Sequence, residues 1–418
     1  MDLVVLLLFL FIGSYVLLSS AAWIMGGLVF WLTREREESE DFYDIPPEDL
    51  PSVTVIVPAY EEEKMVGACL DSLKELDYPD LEVIAADDGS SDLTQQVMRS
   101  KLDADPRLRL VINETNEGKA MAMNDALLVA RGEIIVVVDA DTRLYSDALR
   151  FLVAHFVRNS EVGAVTGNPR PINRVNLLTE LQVVEYASQI SLMRRAQVVW
   201  GRVMTMSGVI SAFRRSVLAD VGVFDPSMST EDIELSWRVQ VEAWDVRYEP
   251  RAVIGMVVPE TLADLRHQRF RWARGLVEVL SRYIGVFRHW GDRRQWPVFA
   301  EAVLSLVWWH ALLLLAVLLL LGALIPGLMS DQLTYFPWGW TATIVLAALV
   351  QFGFGILLDR RYDRSALNAI WVVPWSPIIY WLLVGLPSAL VSIPALLNPH
   401  DRKNVLWKTE RPSGPHSP

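Results

Sequence analysis

The sequence predicts an α/β domain, a mostly parallel sheet with helices on both faces, inserted between transmembrane helices. Three observations predict it. The chain of 418 residues is 52% hydrophobic, with a mean hydropathy of +0.27, more apolar than a soluble enzyme of this length. The long uncharged runs fall at its two ends. Between them, short β-branched runs alternate with amphipathic segments, the rhythm of a parallel sheet.

The elements follow in order. Residues 3–32 carry no charge, enough to span a bilayer. A cleaved signal is disfavoured: there is no basic leader, and the apolar run continues past Ser20-Ala21-Ala22. Arg34 and Arg36 follow directly, which places the next domain on the cytoplasmic side. Strands are predicted at 52–57 (SVTVIV), 81–86, 108–112 and 134–138 (IIVVV). Helices are predicted at 65–76, 93–101, 119–130 and from about Asp147. Apolar stretches return at 298–324 and 338–358, the second closed by Asp359-Arg360-Arg361. A third stretch, 367–397, contains Pro374, Pro377, Pro387 and Pro394. It fits one broken crossing, a re-entrant hairpin, or an interfacial helix plus a crossing. The tail carries Arg402, Lys403, Lys408 and Arg411, a cytoplasmic signature, whereas a single crossing at 367–397 would put it outside.

Composition narrows the chemistry. The formal net charge of −12 argues against a nucleic-acid partner. One cysteine, Cys69, excludes a disulfide framework and a thiolate metal site and reads as a packing residue. The six histidines (155, 267, 289, 310, 400 and 416) show no H-x-x-x-H pairing, which disfavours zinc. Neither G-x-G-x-x-G after the first strand nor a P-loop is present, which disfavours dinucleotide redox enzymes and P-loop NTPases. The 16 tryptophans suit interfacial belts.

In a parallel sheet, ligands bind beyond the carboxyl ends of the strands. Those ends read Pro58-Ala59-Tyr60-Glu61-Glu62, Asp87-Asp88-Gly89-Ser90, Asn116-Glu117-Gly118-Lys119 and Asp139-Ala140-Asp141. The last pair fits either turn chemistry or a cation with a phosphate. Taken singly, Tyr60 is a packing aromatic and Lys119 a solvated lysine. Together the four ends suit a nucleoside diphosphate: an aromatic for the base, acids for imide and ribose, a cation and a lysine for the phosphates.

The sequence resembles the membrane-embedded, processive family 2 glycosyltransferases with a GT-A domain. Asp88 in DDGS, the D-x-D pair Asp139 and Asp141, Thr230-Glu231-Asp232, and Q-x-x-R-W at Gln268, Arg271 and Trp272 occur in that family's order. Within it, VGAVTGNPR, SGVISAFRRSVLADVG, STEDIELSW and YEPRA…VPETL are similar to bacterial poly-β-1,6-N-acetylglucosamine synthases. The resemblance runs from about Trp23 into the C-terminal membrane region. The chain departs from the pattern in having one leading crossing where the family often has two, and Glu61 where it usually has Asn.

The resemblance implies an inverting transfer from UDP-N-acetylglucosamine to a growing polysaccharide, in a multi-pass protein of the bacterial cytoplasmic membrane that exports biofilm polymer. It implies donor contacts from Pro58, Tyr60, Glu62, Asp88, Lys119 and Asp139. Asp141, with Asp139, would hold Mg2+ or Mn2+. Asp232 would be the general base and Arg271 would stabilise the leaving diphosphate. Glu231, Gln268 and Trp272 would face the acceptor, and a small membrane accessory subunit is a further expected partner. Two plainer readings stand beside these: Thr230-Glu231-Asp232 opens a helix, and 266–282 is a basic interfacial helix. A second amphipathic stretch, 177–200, is expected at the same interface. The end LWKTER resembles the W-x-x-x-x-R termini of related synthases. Chitin-, hyaluronan- or cellulose-like synthesis, a lipid-linked single-sugar transferase, and a scaffold without activity are the alternatives. The expected division is an anchor (1–33), a GT-A domain (41–262), an interfacial region (263–296), a transmembrane or re-entrant region (297–398) and a basic tail (399–418).

Overall fold

The computed structural model describes residues 2–36, 40–325, 327–328 and 331–397. The basic tail expected at 399–418, with its LWKTER end, lies outside the described residues.

The β-branched runs build one sheet of eight strands. They are β1 (Val53–Ala59), β2 (Leu81–Asp87), β3 (Leu108–Ile112), β4 (Ile134–Val138), β5 (Thr142–Leu144), β6 (Val162–Pro171), β7 (Ile210–Arg214) and β8 (Asp245–Met256). Their order is β3-β2-β1-β4-β7-β6-β8-β5. The first four pair in parallel, with Val53 opposite both Leu81 and Ile134. β6 and β8 are also parallel, whereas β7 runs against β4 and β6, and β5 runs against β8. Every residue of β1 and β4 is buried, as expected of strands covered on both faces. Val55, Val57, Val136 and Val138 enter one core, and Ile56, Ile135 and Val137 enter the other.

β6 and β8 shift register between Thr166 and Asn168. The far half of β8 carries β5, so the turn Asp139-Ala140-Asp141 joins the centre of the sheet to its edge.

Among the described residues four helices are long and apolar enough to cross a membrane: Asp2–Glu35, Trp296–Leu324, Trp340–Asp359 and Ser376–Leu397. The ambiguous 367–397 stretch divides into a 3-10 helix, Arg364–Val372, packed on helix Leu177–Glu185, and the apolar helix Ser376–Leu397. The final part of that helix, Leu386–Leu397, packs against helices Leu262–Arg282 and Trp296–Leu324.

The amphipathic stretch at 177–200 is more buried than its sequence suggests. The stretch is not one helix but a bridge of Leu177–Glu185, a π-helical turn and Ser191–Trp200, most of it buried against the sheet domain and the apolar helices. Small residues let apolar helices approach it closely. A Cβ on Gly26 would lie 2.7 Å from Ala196 Cα, and one on Gly355 2.4 Å from Ser188 Cα. The bridge's charges are paired. Arg195 Nε donates to Glu35 at 2.7 Å, and its Nη1 lies 3.0 Å from Asp359, which also pairs with Arg170 of β6. These buried ion pairs fasten the ends of two apolar helices to the bridge and, through Arg170, to the sheet.

Candidate active site

Backbone chemistry at the strand ends shapes the rim where the sequence leads one to expect the nucleotide. The Asp88 N–H donates to the Ala59 carbonyl at 3.0 Å, locking the end of β2 to the end of β1. Pro58 is buried in β1, and Tyr60, just past it, is half-buried. Glu61 has a φ of 54°, a left-handed conformation that asparagine tolerates better than glutamate. The departure from Asn noted in the sequence therefore falls on a strained position. Glu62 is buried, with its N–H on Thr94 Oγ1 at 2.7 Å.

Asp88 is fully buried, and its carboxylate accepts from the Glu117 and Gly118 amides at 3.0 and 2.8 Å. Burial pushes the carboxyl above its ordinary value against the pull of those amides. Asp88 thus fixes the loop that delivers Lys119, a role beyond the expected nucleotide contact. Gly89 permits this approach: its φ is 72°, and a Cβ there would lie 2.6 Å from the Thr115 carbonyl carbon.

Lys119 opens helix Lys119–Val129, and its Nζ lies 2.5 Å from Asp139 Oδ1 and 3.7 Å from Glu231 Oε1. Burial alone would lower its pKa, but Asp139 and Glu231 overcome that and hold the ammonium above its ordinary value. Asp139 closes its turn through its carbonyl, which accepts from Thr142 Oγ1 at 2.6 Å. Asp141 is buried in the same turn. Cys69 packs behind it, its thiol pushed up to about 12 by burial, which agrees with a packing role.

Thr230-Glu231-Asp232 does open a helix, Glu231–Val241. Glu231 is buried, and burial raises its carboxyl while Lys119 opposes the shift. Asp232 is half-buried beside it. A Cβ on Gly208 would lie 2.9 Å from Asp232 Oδ2 and 3.4 Å from Lys119 Nζ. Lys119, Asp139, Glu231 and Asp232 therefore meet around Gly208, whose missing side chain leaves room for them.

The Q-x-x-R-W residues lie on helix Leu262–Arg282, capped by Thr261. Arg271 is exposed and its Nη1 approaches the Ser229 carbonyl at 3.5 Å, next to the T-E-D turn. Gln268 and Trp272 are half-buried; Trp272 packs near Tyr186, Met256 and Val258, with the Arg269 guanidinium 4.5 Å from its ring centroid. The basic face of this helix is partly paired within the protein. Arg269 is buried and paired through two hydrogen bonds with Glu185 at 2.7 and 2.6 Å. Arg274 pairs with Glu278, and Arg282 with Asp225.

Two functional contacts escaped the sequence reading. One is the Arg269–Glu185 pair, whose partners lie 84 residues apart. The other is Gly275, where a Cβ would lie 2.2 Å from Thr230 Oγ1, so its absence lets the Q-x-x-R-W helix touch the T-E-D turn. A lone glycine inside a helical pattern was the available signal.

A sheet of this topology, with acids at the ends of its parallel strands and a second acidic pair on a helix start across from them, defines a GT-A glycosyltransferase. Residues 51–275 match the model of the glycosyltransferase-like family 2, and the chain belongs to that family. It is 33% identical over 393 residues, 91% of this chain and 94% of the relative, to the poly-beta-1,6-N-acetyl-D-glucosamine synthase of Staphylococcus aureus (strain COL). The enzyme of the same name from Staphylococcus epidermidis (strain ATCC 35984) is 32% identical over 378 residues, 90% of this chain and 91% of the relative. Among solved structures, a mannosyltransferase from Pyrobaculum calidifontis in complex with GDP-Man and Mn2+ shares the fold. Its TM-score is 0.60 at 24% identity, covering 83% of this chain and 98% of that one.

Proposed function

We propose that this glycosyltransferase is a processive, inverting synthase that transfers N-acetylglucosamine from UDP-N-acetylglucosamine to a growing poly-β-1,6-linked chain and passes the polymer through the membrane. The observation that carries the reading is the acidic rim bridged by Lys119, with Asp139 at 2.5 Å on one side and Glu231 at 3.7 Å on the other. It is joined to relatives of that name along nine-tenths of the chain.

In this reading Tyr60 lies beside the base, and Asp88 holds the loop that brings Lys119 to the diphosphate. Asp232 takes the proton of the acceptor hydroxyl as its oxygen attacks the anomeric carbon. Lys119 keeps the neighbouring Glu231 and Asp139 from repelling the incoming donor. Arg271 meets the leaving diphosphate with a planar fork of donors. Trp272, with the Arg269 guanidinium over its ring, borders the acceptor path, with Gln268 and Glu231. The base, Asp232, comes from a different part of the chain than the donor acids, so each set is expected to fail separately when mutated.

The residues fit a divalent cation. Among the described residues no three His, Cys, Asp or Glu side chains form a metal cage. Asp139 and Asp141 in one turn instead offer two hard oxygen donors, which suits an ion that takes its other ligands from a diphosphate. When bound, Mg2+ or Mn2+ would offset charge on the leaving group.

Arg34 and Arg36, directly after the first apolar helix, support a cytoplasmic catalytic domain. A small membrane accessory subunit is part of the same proposal, tested by its co-purification. The defining experiment supplies purified full-length protein in nanodiscs with UDP-N-acetylglucosamine as sole donor. The product should yield to a β-1,6-specific hydrolase and resist chitinase. A chitinase-sensitive polymer, or a requirement for a second nucleotide sugar, would point to the chitin- or hyaluronan-like alternatives.

A further inference from the structure

A second polar cavity lies away from the residues described above. It measures about 470 Å3, within the range of small-molecule sites. Its lining includes Tyr145 after β5, Arg170 and Arg174 at and beyond the end of β6, and Tyr362, Asp363 and Ser365 just past the helix ending at Asp359. None of the residues assigned to donor, acceptor or metal lines it.

Most of the polar lining is already engaged. Arg174 pairs with Glu180 and donates to the Ser365 carbonyl at 2.6 Å. Asp363 accepts from the Ser365 N–H and hydroxyl at 2.8 and 2.6 Å. Two groups are left over. Arg170 is 4% exposed and pairs with Asp359 through Nη2, while its Nε and Nη1 are buried with no acceptor among the described residues. The Tyr362 hydroxyl is buried in the same condition. The Arg170 nitrogens can only donate, and the Tyr362 hydroxyl can donate as well as accept. A buried donor without a partner costs about 1–3 kcal/mol, and more when charged. A ligand here must therefore bring acceptors, and beside a guanidinium it should bring negative charge.

We propose that this cavity binds a phosphate group, held by Arg170 and Tyr362. Its position at the end of an apolar helix is where basic pockets take lipid head groups. The same chemistry would take a free phosphate. The lipid source rests on the proposed cytoplasmic placement of this helix end; the free-phosphate source does not.

The test uses the full-length protein and does not read glycosyl transfer, so its failure is separate from failure of the synthase reading. In detergent stripped of lipid, the melting temperature is followed with inorganic phosphate against chloride at equal ionic strength. Native mass spectrometry then counts phosphatidylglycerol retained from mixed-lipid nanodiscs. Tyr362→Phe removes one hydroxyl and keeps the ring; Arg170→Gln removes the charge but also disturbs Asp359. Loss of one hydrogen bond to a charged group should weaken binding about ten-fold in Tyr362→Phe. A saturable phosphate-induced rise that this variant loses supports a soluble source. Phosphatidylglycerol retention lost in this variant, without a phosphate effect, supports the lipid source. If the wild type shows neither response, or Tyr362→Phe retains the wild-type response in full, the cavity is not a phosphate site.

Discussion

The proposed nucleotide side and the proposed acceptor side of this site are built differently. The nucleotide side comes from four parallel strands within residues 53–141, and each motif acid lies within a few residues of the strand that aims it. The acceptor side is assembled from Gly208, the helix start at Glu231 and the Q-x-x-R-W helix, secured by buried charges and close helix contacts. The first is fixed by backbone geometry, the second by packing between distant segments. Damage to the first should therefore show in nucleotide affinity, and damage to the second in turnover and folding.

The largest stability effect is expected on the acceptor side. Glu185→Ala strands the buried Arg269 guanidinium, and breaking such a pair costs about 3–5 kcal/mol. The melting temperature in detergent should fall steeply, with polymer yield. A change of only a degree or two would mean that the pair does not hold the Q-x-x-R-W helix. Gly89→Ala strikes the other side. With a φ of 72° and backbone 2.6 Å away, it should cost more than about 1 kcal/mol. It should also weaken UDP binding, because Asp88 and the Lys119 loop lose their register; isothermal titration with UDP checks this. Gly275→Ala presses on Thr230 instead, and should lower turnover while leaving UDP affinity intact. A loss of UDP affinity equal to that of Gly89→Ala would erase the distinction between the two sides.

Smaller effects sharpen the same contrast. Burial alone would raise the Asp225 carboxyl, but Arg282 and Ser227 bring it down to about 2. Its folded-state value is below the unfolded one, so its contribution is present above about pH 4 and lost as pH falls toward 2. Because the pair is partly exposed, Asp225→Asn should cost less than about 1 kcal/mol at neutral pH and flatten the acid limb of stability. Smallest is Glu61→Asn, which should gain up to about 1 kcal/mol by easing the left-handed backbone; a loss of melting temperature would show that Glu61 earns its place by bonding to Ser91.

The contrast also explains what the sequence made legible. β1 to β4 are mostly apolar or β-branched runs, broken only by Pro58, Glu82 and Arg109, with acids at or shortly past their ends, so those ends and their shared rim could be read directly. β6 and β8 could not: Pro169, Pro171 and Pro250 interrupt their patterns, and proline speaks against a strand interior. The burial of the bridge at 177–200 was not legible, because its arginines balance its apolar face. Arg195 is nonetheless buried, since its acidic partners Glu35 and Asp359 arrive from helices at opposite ends of the chain. The same distance hid Glu185 from Arg269. Acids of the site were visible as motifs, but the glycines that let them meet, Gly208 and Gly275, gain meaning only from their neighbours in space.

The central claim is that the acids divide into a set that holds the donor and one that activates the acceptor. The most direct test compares Asp141→Ala and Asp232→Asn, measuring UDP affinity with and without Mn2+ alongside polymer formed from UDP-N-acetylglucosamine. Asp232→Asn should bind UDP as the wild type does and lose roughly 10²–10⁴ in polymerisation rate, the usual loss for a general base. Asp141→Ala should lose the Mn2+-dependent part of UDP binding. Polymerisation at the wild-type rate by Asp232→Asn, or an equal loss of UDP affinity in both variants, would contradict the division.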